Sequence, residues 1–259
     1  MDKYEAGQLV KKTFESSFDR QRFVYFVKNL LNYLDESKAF HARGYVQEKY
    51  KQSAGIIKTY ERIGTYTDPE ENKIDVLIVY LEKADSIERA RTTLRNFAAD
   101  YLKNRDEKEA GLFAFVSPDQ NDWRFSFVKM EYKLIETPSG KVKAKEEFTP
   151  AKRYSFLVGE YESSHTAQSR LAPVIADDIN NPSIKQLEDA FNIEKVTKEF
   201  FEKYTQLFHQ LKEALDKVII KDDKIKKDFL DKKISSPDFS KKLLGQIVFL
   251  YFLQKKGWF

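Results

Sequence analysis

Two acids and a lysine bracket the most apolar stretch of this chain. Asp75 opens the run Lys73-Ile74-Asp75-Val76-Leu77-Ile78-Val79-Tyr80-Leu81, and Glu82-Lys83 closes it. The turn ahead of it, Thr67-Asp68-Pro69-Glu70-Glu71-Asn72, adds further carboxylates. Acids gathered at one end of a hairpin can hold a hard divalent cation such as Mg2+ through oxygen, and a lysine beside them can position or activate an attacking water. The chemistry within reach is metal-assisted hydrolysis. Its catalytic candidates are Asp75, Glu82 and Lys83, with Asp75 and Glu82 as metal ligands. Strand alternation supports a plainer reading. It puts Asp75, Leu77, Val79, Leu81 and Lys83 on one face and Glu82 on the other, so the two acids point apart unless a bulge intervenes. Asp75 is then a strand-start acid and Glu82-Lys83 an exposed strand end.

A second set of residues could contact nucleic acid. Arg89, Arg91 and Arg95 follow the apolar run, and Arg91 and Arg95 share a helix face if the segment is helical. Guanidinium groups so placed can grip phosphates bidentately, or they can pair with Glu88, Asp106 and Glu107. The segment Ser163-Ser164-His165-Thr166-Ala167-Gln168-Ser169-Arg170 is dense in donors and reads as a loop, with His165, Gln168 and Arg170 as DNA-binding candidates. The three histidines, His41, His165 and His209, are far apart in sequence, which argues against a histidine metal site. His209 falls on an amphipathic helical pattern and reads as structural.

The elements that must position these residues follow from periodicity. Phe14 to Leu34 predicts a helix, with Phe18, Phe23, Phe26, Val27, Leu30, Leu31 and Leu34 as its stripe and Asp19 as a cap. Gly44 to Gln52 reads as loop and Gly55 to Gly64 as a strand. Asp68-Pro69 and Asn72 supply turn chemistry. Lys73–Leu81 is the strongest strand, and its branched residues imply burial on both faces. Ser86 caps a helix to Leu102, striped by Ile87, Ala90, Leu94, Phe97, Ala98 and Tyr101. Leu112 to Val116 is a buried strand closed by Ser117-Pro118-Asp119. Trp123 to Ile135 is a long strand, Thr137 to Lys141 a hairpin turn, and Val142 to Phe148 its returning partner. Arg153 to Val158 adds an edge strand. Thr166 to Asn181 reads as irregular and polar. Ser183–Phe191 and Glu194–Lys217 read as helices, and Lys221–Lys233 as a solvated, charge-alternating helix or linker. The expected division is an α/β (α+β) domain over residues 1–160 and a helical connector over 161–259.

The stretch Leu243–Leu253 is apolar with almost no polar face, interrupted by Gly245 and Gln246. It is too short to span a bilayer, and a helix apolar nearly all round calls for burial on more than one side. The expectation is that it joins domains, that the natural protein continues beyond Phe259, and that the chain self-associates through Leu243–Leu253. A terminal helix docked on its own domain is the other reading. The 259 residues are 41% hydrophobic and 14% aromatic, enough for a real core. The absence of cysteine excludes disulfides and thiolate metal sites and fits a reducing cytoplasm. The first residues, MDKYEAGQLVKKTFESSFDR, hold no signal-peptide core. A net charge of +4 permits nucleic-acid binding without demanding it.

The string Leu243-Leu244-Gly245-Gln246-Ile247-Val248-Phe249-Leu250-Tyr251-Phe252-Leu253-Gln254-Lys255-Lys256-Gly257-Trp258 resembles the connector helix of type IIG restriction–modification enzymes. Those enzymes fuse an endonuclease to an adenine-specific DNA methyltransferase. Ser86-Ile87-Glu88-Arg89-Ala90-Arg91-Thr92, Phe115-Val116-Ser117-Pro118-Asp119, Asp122-Trp123-Arg124-Phe125-Ser126 and Ser164–Arg170 also resemble their amino-terminal region. The order helix, hairpin, strong strand, helix, strand resembles the PD-(D/E)XK nuclease core, although the strand ends Tyr80-Leu81-Glu82-Lys83 where that core has an acid, a spacer and a lysine. The resemblance implies a nuclease-like mixed sheet, double-stranded DNA as partner, a methyltransferase domain downstream, and no membrane. It also implies S-adenosylmethionine in that downstream part alone. No glycine-rich loop for that cofactor and no Asn-Pro-Pro-aromatic string occurs here, since Asn181-Pro182-Ser183-Ile184 lacks the second proline and the aromatic. A non-catalytic scaffold or DNA-binding module that positions a methyltransferase is the alternative to a working nuclease.

Overall fold

The computed structural model describes residues 1–41, 50, 55–83, 87, 91–104, 108–136, 142–148 and 154–255. They form two compact units, residues 1–193 and 194–259. The first unit holds α1 (Lys3–Phe14), α2 (Arg20–Leu31), β1 (Phe40–His41), β2 (Ile57–Thr67), β3 (Lys73–Leu81) and α3 (Arg91–Lys103). It continues with β4 (Ala110–Val116), β5 (Asp122–Glu136), β6 (Val142–Phe148), β7 (Ser155–Gly159), α4 (His165–Ala176) and α5 (Ile184–Phe191). The expected loop at 44–52 apart from Tyr50, the Ser86 cap and the turn at 137–141 lie outside the described residues.

The seven strands make one mixed sheet in the order β1-β2-β3-β4-β5-β6, with β7 also on β5. Among the described strands only β3 and β4 run parallel, and α3 lies in the crossover that such a pair requires. The far edge of β5 is shared: Asp122–Ser126 pairs with β7, and Met130–Glu136 pairs with β6. β3 is interior, and its alternation feeds two cores. Ile74, Val76 and Ile78 join Trp123, Phe125, Phe127 and the helices α1, α2, α4 and α5 on one face. Leu77, Val79 and Leu81 join Phe113, Phe115 and the α3 residues Leu94, Phe97, Ala98 and Tyr101 on the other. A strand covered on both faces must be apolar in both phases, which is why this one has no alternating pattern.

The structure corrects three expectations. Phe14 to Leu34 is not one helix but the end of α1, a break and α2. Asp19 caps α2 at the Arg22 amide, and Asp2 forms a reciprocal box with Glu5 at the start of α1. The break lets the Phe18 amide donate to the Gln120 carbonyl, anchoring the turn to the β4–β5 loop. Thr166 to Asn181 is not irregular either. It is mostly α4, whose buried Ala167, Leu171, Ala172 and Ile175 pack on α1 despite Pro173. With α4 and α5 in the first core, the division falls at 193/194 and not near 160.

The turn between β2 and β3 latches α5. Asp68, 4% exposed, accepts the amides of Glu70 and Asn72, the Asn72 side chain, and the Ile184 amide at the first turn of α5. Beside it, the Tyr66 hydroxyl donates to the Pro182 carbonyl. Burial pushes the Asp68 carboxyl up, but these hydrogen bonds outweigh it and hold the group below its ordinary 3.8. A depressed folded value contributes stability above the ordinary one, and that stability is lost as pH falls through the folded value. Asp68→Asn turns one acceptor into a donor facing the Ile184 amide. It should cost about 1.5–3 kcal/mol at neutral pH and flatten the acid limb of the stability curve. Urea unfolding at pH 7 and pH 3 checks this; equal pH dependence in both proteins refutes it.

The second unit comprises helices α6 (Ile193–Lys221), α7 (Asp223–Asp231) and α8 (Ser236–Lys255). Asp222 caps α7 through the amides of Lys224 and Ile225. Asp216 of α6 accepts from Lys212 and from Ser236 at the start of α8. The charge-alternating 221–233 segment is thus mostly a solvated helix, with no buried residue in α7. Among the described residues, no helix is long and apolar enough to cross a membrane.

Candidate functional site

Asp75 is the centre of a buried polar cluster inside the first unit. Its side chain is wholly buried. The Thr65 hydroxyl donates to Oδ1 at 2.6 Å, and the Lys108 ammonium lies 3.6 Å from the same oxygen. Arg62 Nη1 donates to Oδ2 at 3.2 Å and the Tyr101 hydroxyl at 2.8 Å. The rest of the Arg62 fork, Nε and Nη2, grips the Lys38 carbonyl at 2.9 and 2.6 Å. One carboxylate thus gathers groups from β2, from α3 and from the segment before β4.

Register explains the gathering. Arg62 and Thr65 are three apart and would face opposite ways in a regular strand. The pairing with β3 slips between Arg62↔Leu77 and Gly64↔Val76, leaving Ile63 as an extra residue. That bulge reverses the phase of β2, so Arg62 and Thr65 both reach the Asp75 face. Gly64 is needed there, because a Cβ would sit 2.6 Å from Leu34 Cγ and 2.8 Å from the Asp35 carbonyl oxygen. Burial pulls the Lys108 ammonium below its ordinary value, and the cations Lys38, Lys73 and Arg62 add to this against the attraction of Asp75.

This donor set does not fit a hard divalent cation. The carboxylate oxygens are taken by two hydroxyls and two cations, and a metal would meet Arg62 and Lys108 at close range. Glu82 and Lys83 are exposed at the other end of β3, on the order of 20 Å of strand away from Asp75. The bulges lie in β2, while β3 keeps continuous register with β4, so nothing turns Glu82 toward Asp75. Among the described residues, no group of three or more His, Asp or Glu is placed to hold a metal. Asp68, the buried acid of the hairpin turn, is occupied by its turn and by α5.

The expected DNA-binding residues are not brought together. Arg89 and the Arg91 side chain lie outside the described residues. Arg95 is half-buried on α3, against one face of the sheet. His165, Gln168 and Arg170 belong to α4, against the opposite face. His165 is exposed at the start of that helix. Gln168 donates to Ser164 Oγ at 2.7 Å, and Ser164 in turn donates to Glu15 at 2.8 Å. Arg170 donates to the Asp189 carbonyl at 2.9 Å and so caps the end of α5. The expected donor loop is therefore a helix start where Gln168 and Arg170 are engaged in hydrogen bonds within the first unit. His209 is exposed on α6, beside the Phe208 ring, and not a core residue.

A crevice of about 250 Å3 opens where the parallel strands β3 and β4 end, lined by Lys58, Thr59, Tyr80, Leu81, Ser117, Pro118 and Gln120. In open α/β sheets ligands settle outside the carboxyl ends of parallel strands. Lys58 is the extra residue of a second β2 irregularity, between Ile57↔Leu81 and Thr59↔Tyr80. Gln120 adopts a left-handed backbone, φ 61°, in the loop after β4. Below the crevice, Arg20 forks onto Glu61 at 2.9–3.1 Å, and the Tyr80 hydroxyl donates to Glu61 at 3.2 Å. Burial, then the charge of Glu61, pushes the Tyr80 phenol up to about 12. Sequence reasoning missed Lys58 and Gln120, and no local signal marks a bulge or a left-handed glutamine. No protein-family model, no curated protein and no solved structure matches this chain.

Proposed function

We infer that this chain is a non-catalytic DNA-binding module of a type IIG-like restriction–modification enzyme, one that positions an adenine-specific methyltransferase on double-stranded DNA. The observation that carries the choice is the occupied Asp75. The acid best placed for nuclease chemistry is neutralised by Arg62 and Lys108 and saturated by Thr65 and Tyr101. The order β2, β3, α3, β4, with a parallel β3–β4 pair, supports a sheet of the PD-(D/E)XK kind. The resembling segments at Phe115–Asp119, Asp122–Ser126 and the connector support the wider family. In this reading S-adenosylmethionine chemistry belongs to the downstream part.

The test uses supercoiled plasmid and a labelled duplex. The chain should bind duplex DNA with an affinity that falls as salt rises, and it should not nick plasmid above background with Mg2+ or Mn2+. Arg89→Ala and Arg91→Ala should each flatten the salt dependence by roughly one unit of slope. Metal-dependent nicking that Glu82→Ala abolishes would restore the nuclease reading. Unchanged slopes in both variants would remove Arg89 and Arg91 from the DNA interface.

A further inference from the structure

We propose that the α8 face of the second unit is a pairing surface for a second copy of this chain. Ile247, Val248, Phe249 and Leu250 are 52%, 37%, 59% and 51% exposed. Consecutive helical residues step by about 100°, so these four point around the whole circumference of the helix. No charged residue interrupts the stretch from Leu243 to Gln254. Elsewhere in the unit, Phe200, Phe201 and Leu207 of α6 are 46%, 60% and 53% exposed. Among the described side chains from 198 to 254, Ser240 alone is fully buried. Such a unit lacks the apolar burial that offsets the entropy of ordering its chain, so it needs a cover.

The amount of surface suits a dimer. Those seven side chains leave on the order of 700 Å2 of apolar area open, close to the ~800 Å2 that each partner contributes to a stable interface. The shape selects the partner. A helix apolar all round is not satisfied by a flat patch; it has to lie between other helices. The same unit provides that setting: Ile219, Phe229, Leu230, Ile234, Phe239 and Leu243 line two adjoining depressions along α6, α7 and α8, together with charged residues such as Lys226, Lys233 and Lys242. Rod and groove occur on one chain, so a two-fold pair fills both at once and closes on itself. The inference stands apart from DNA binding and from the state of Asp75.

Sedimentation velocity and light scattering of the 259-residue chain across the micromolar range test it, with hydrogen exchange read on α8. The expected result is a discrete dimer with slowed exchange in α8. The double variant Phe249→Ser, Leu250→Ser should raise the dimer dissociation constant by roughly a hundredfold or more while hydrogen exchange in the first unit keeps its wild-type protection. Ile179→Ser, which removes an 88%-exposed apolar residue of the first unit, should leave the dimer intact. A monomer with protected α8 amides would mean that the chain covers its own helix. A monomer with freely exchanging α8 amides would mean a partner of another kind. A dimer that survives the double variant, or one that Ile179→Ser also dissolves, would place the contact elsewhere. Each of these four outcomes overturns the proposal.

Discussion

Asp75→Ala should destabilise the first unit by about 3–5 kcal/mol, the loss seen when one partner of a buried ion pair is removed. The reason is what stays behind. Arg62 and Lys108 are both buried and would share a low-dielectric site with no carboxylate between them, while Thr65 and Tyr101 would each lose an acceptor. Asp75→Asn should fall between wild type and Asp75→Ala, since it keeps one acceptor oxygen and loses the charge. Removing a cation together with the acid, in Asp75→Asn with Lys108→Met, should recover part of the loss. Urea unfolding of the four proteins measures this. A loss below about 1 kcal/mol for Asp75→Ala would mean that the cluster is wetter and weaker than its geometry implies.

Phe125→Ala should be comparably damaging, at about 3–5 kcal/mol. Phe125 is wholly buried in β5, at the meeting point of four elements. Its ring lies edge-on to Phe14 of α1 at 5.9 Å, to Phe23 and Phe26 of α2 at 5.6 and 5.7 Å, and to Phe191 of α5 at 5.1 Å. Truncation therefore opens a cavity that no single helix can close by a small shift, and it forfeits several aromatic contacts together. Tyr25→Ala is the control: Tyr25 sits on α2 and is 58% exposed, and its loss should move stability by no more than about 0.5 kcal/mol. Unfolding midpoints and slopes from the same urea series check both. A Phe125→Ala protein as stable as the Tyr25→Ala protein would show that the helices are held by something other than this aromatic cluster.

These residues also mark how far the sequence could be read. The bounds of β3 are those its apolar run predicts, because a strand needing cover on both faces shows up as an unbroken run of branched residues. Most of α3, the long β5, its return through β6 and the later edge strand β7 were legible for similar reasons: their patterns are strong and their partners close in sequence. Two helices were not. α1 buries only Ala6, Val10, Thr13 and Phe14 among charged residues, and α4 buries only Ala167, Leu171, Ala172 and Ile175, a stripe of small and spaced residues broken by Pro173, among donors that suit a loop equally well. Its helical state comes from packing against α1, about 150 residues earlier, and not from its own propensity.

For the site, sequence alone determined that Asp75 and Glu82 stand in opposite phases of one strand, since a period of two leaves no freedom once the strand is granted. It could not determine what Asp75 meets. Arg62 and Thr65 face it only because Ile63 is extra in the pairing with β3, and Tyr101 and Lys108 arrive through a crossover and the segment before β4. Register and crossover packing depend on two segments at once, so no local pattern encodes them. The same holds for α8. Its sequence established that the helix is apolar all round, whereas the packing within the second unit decided that α6 and α7 leave much of it exposed.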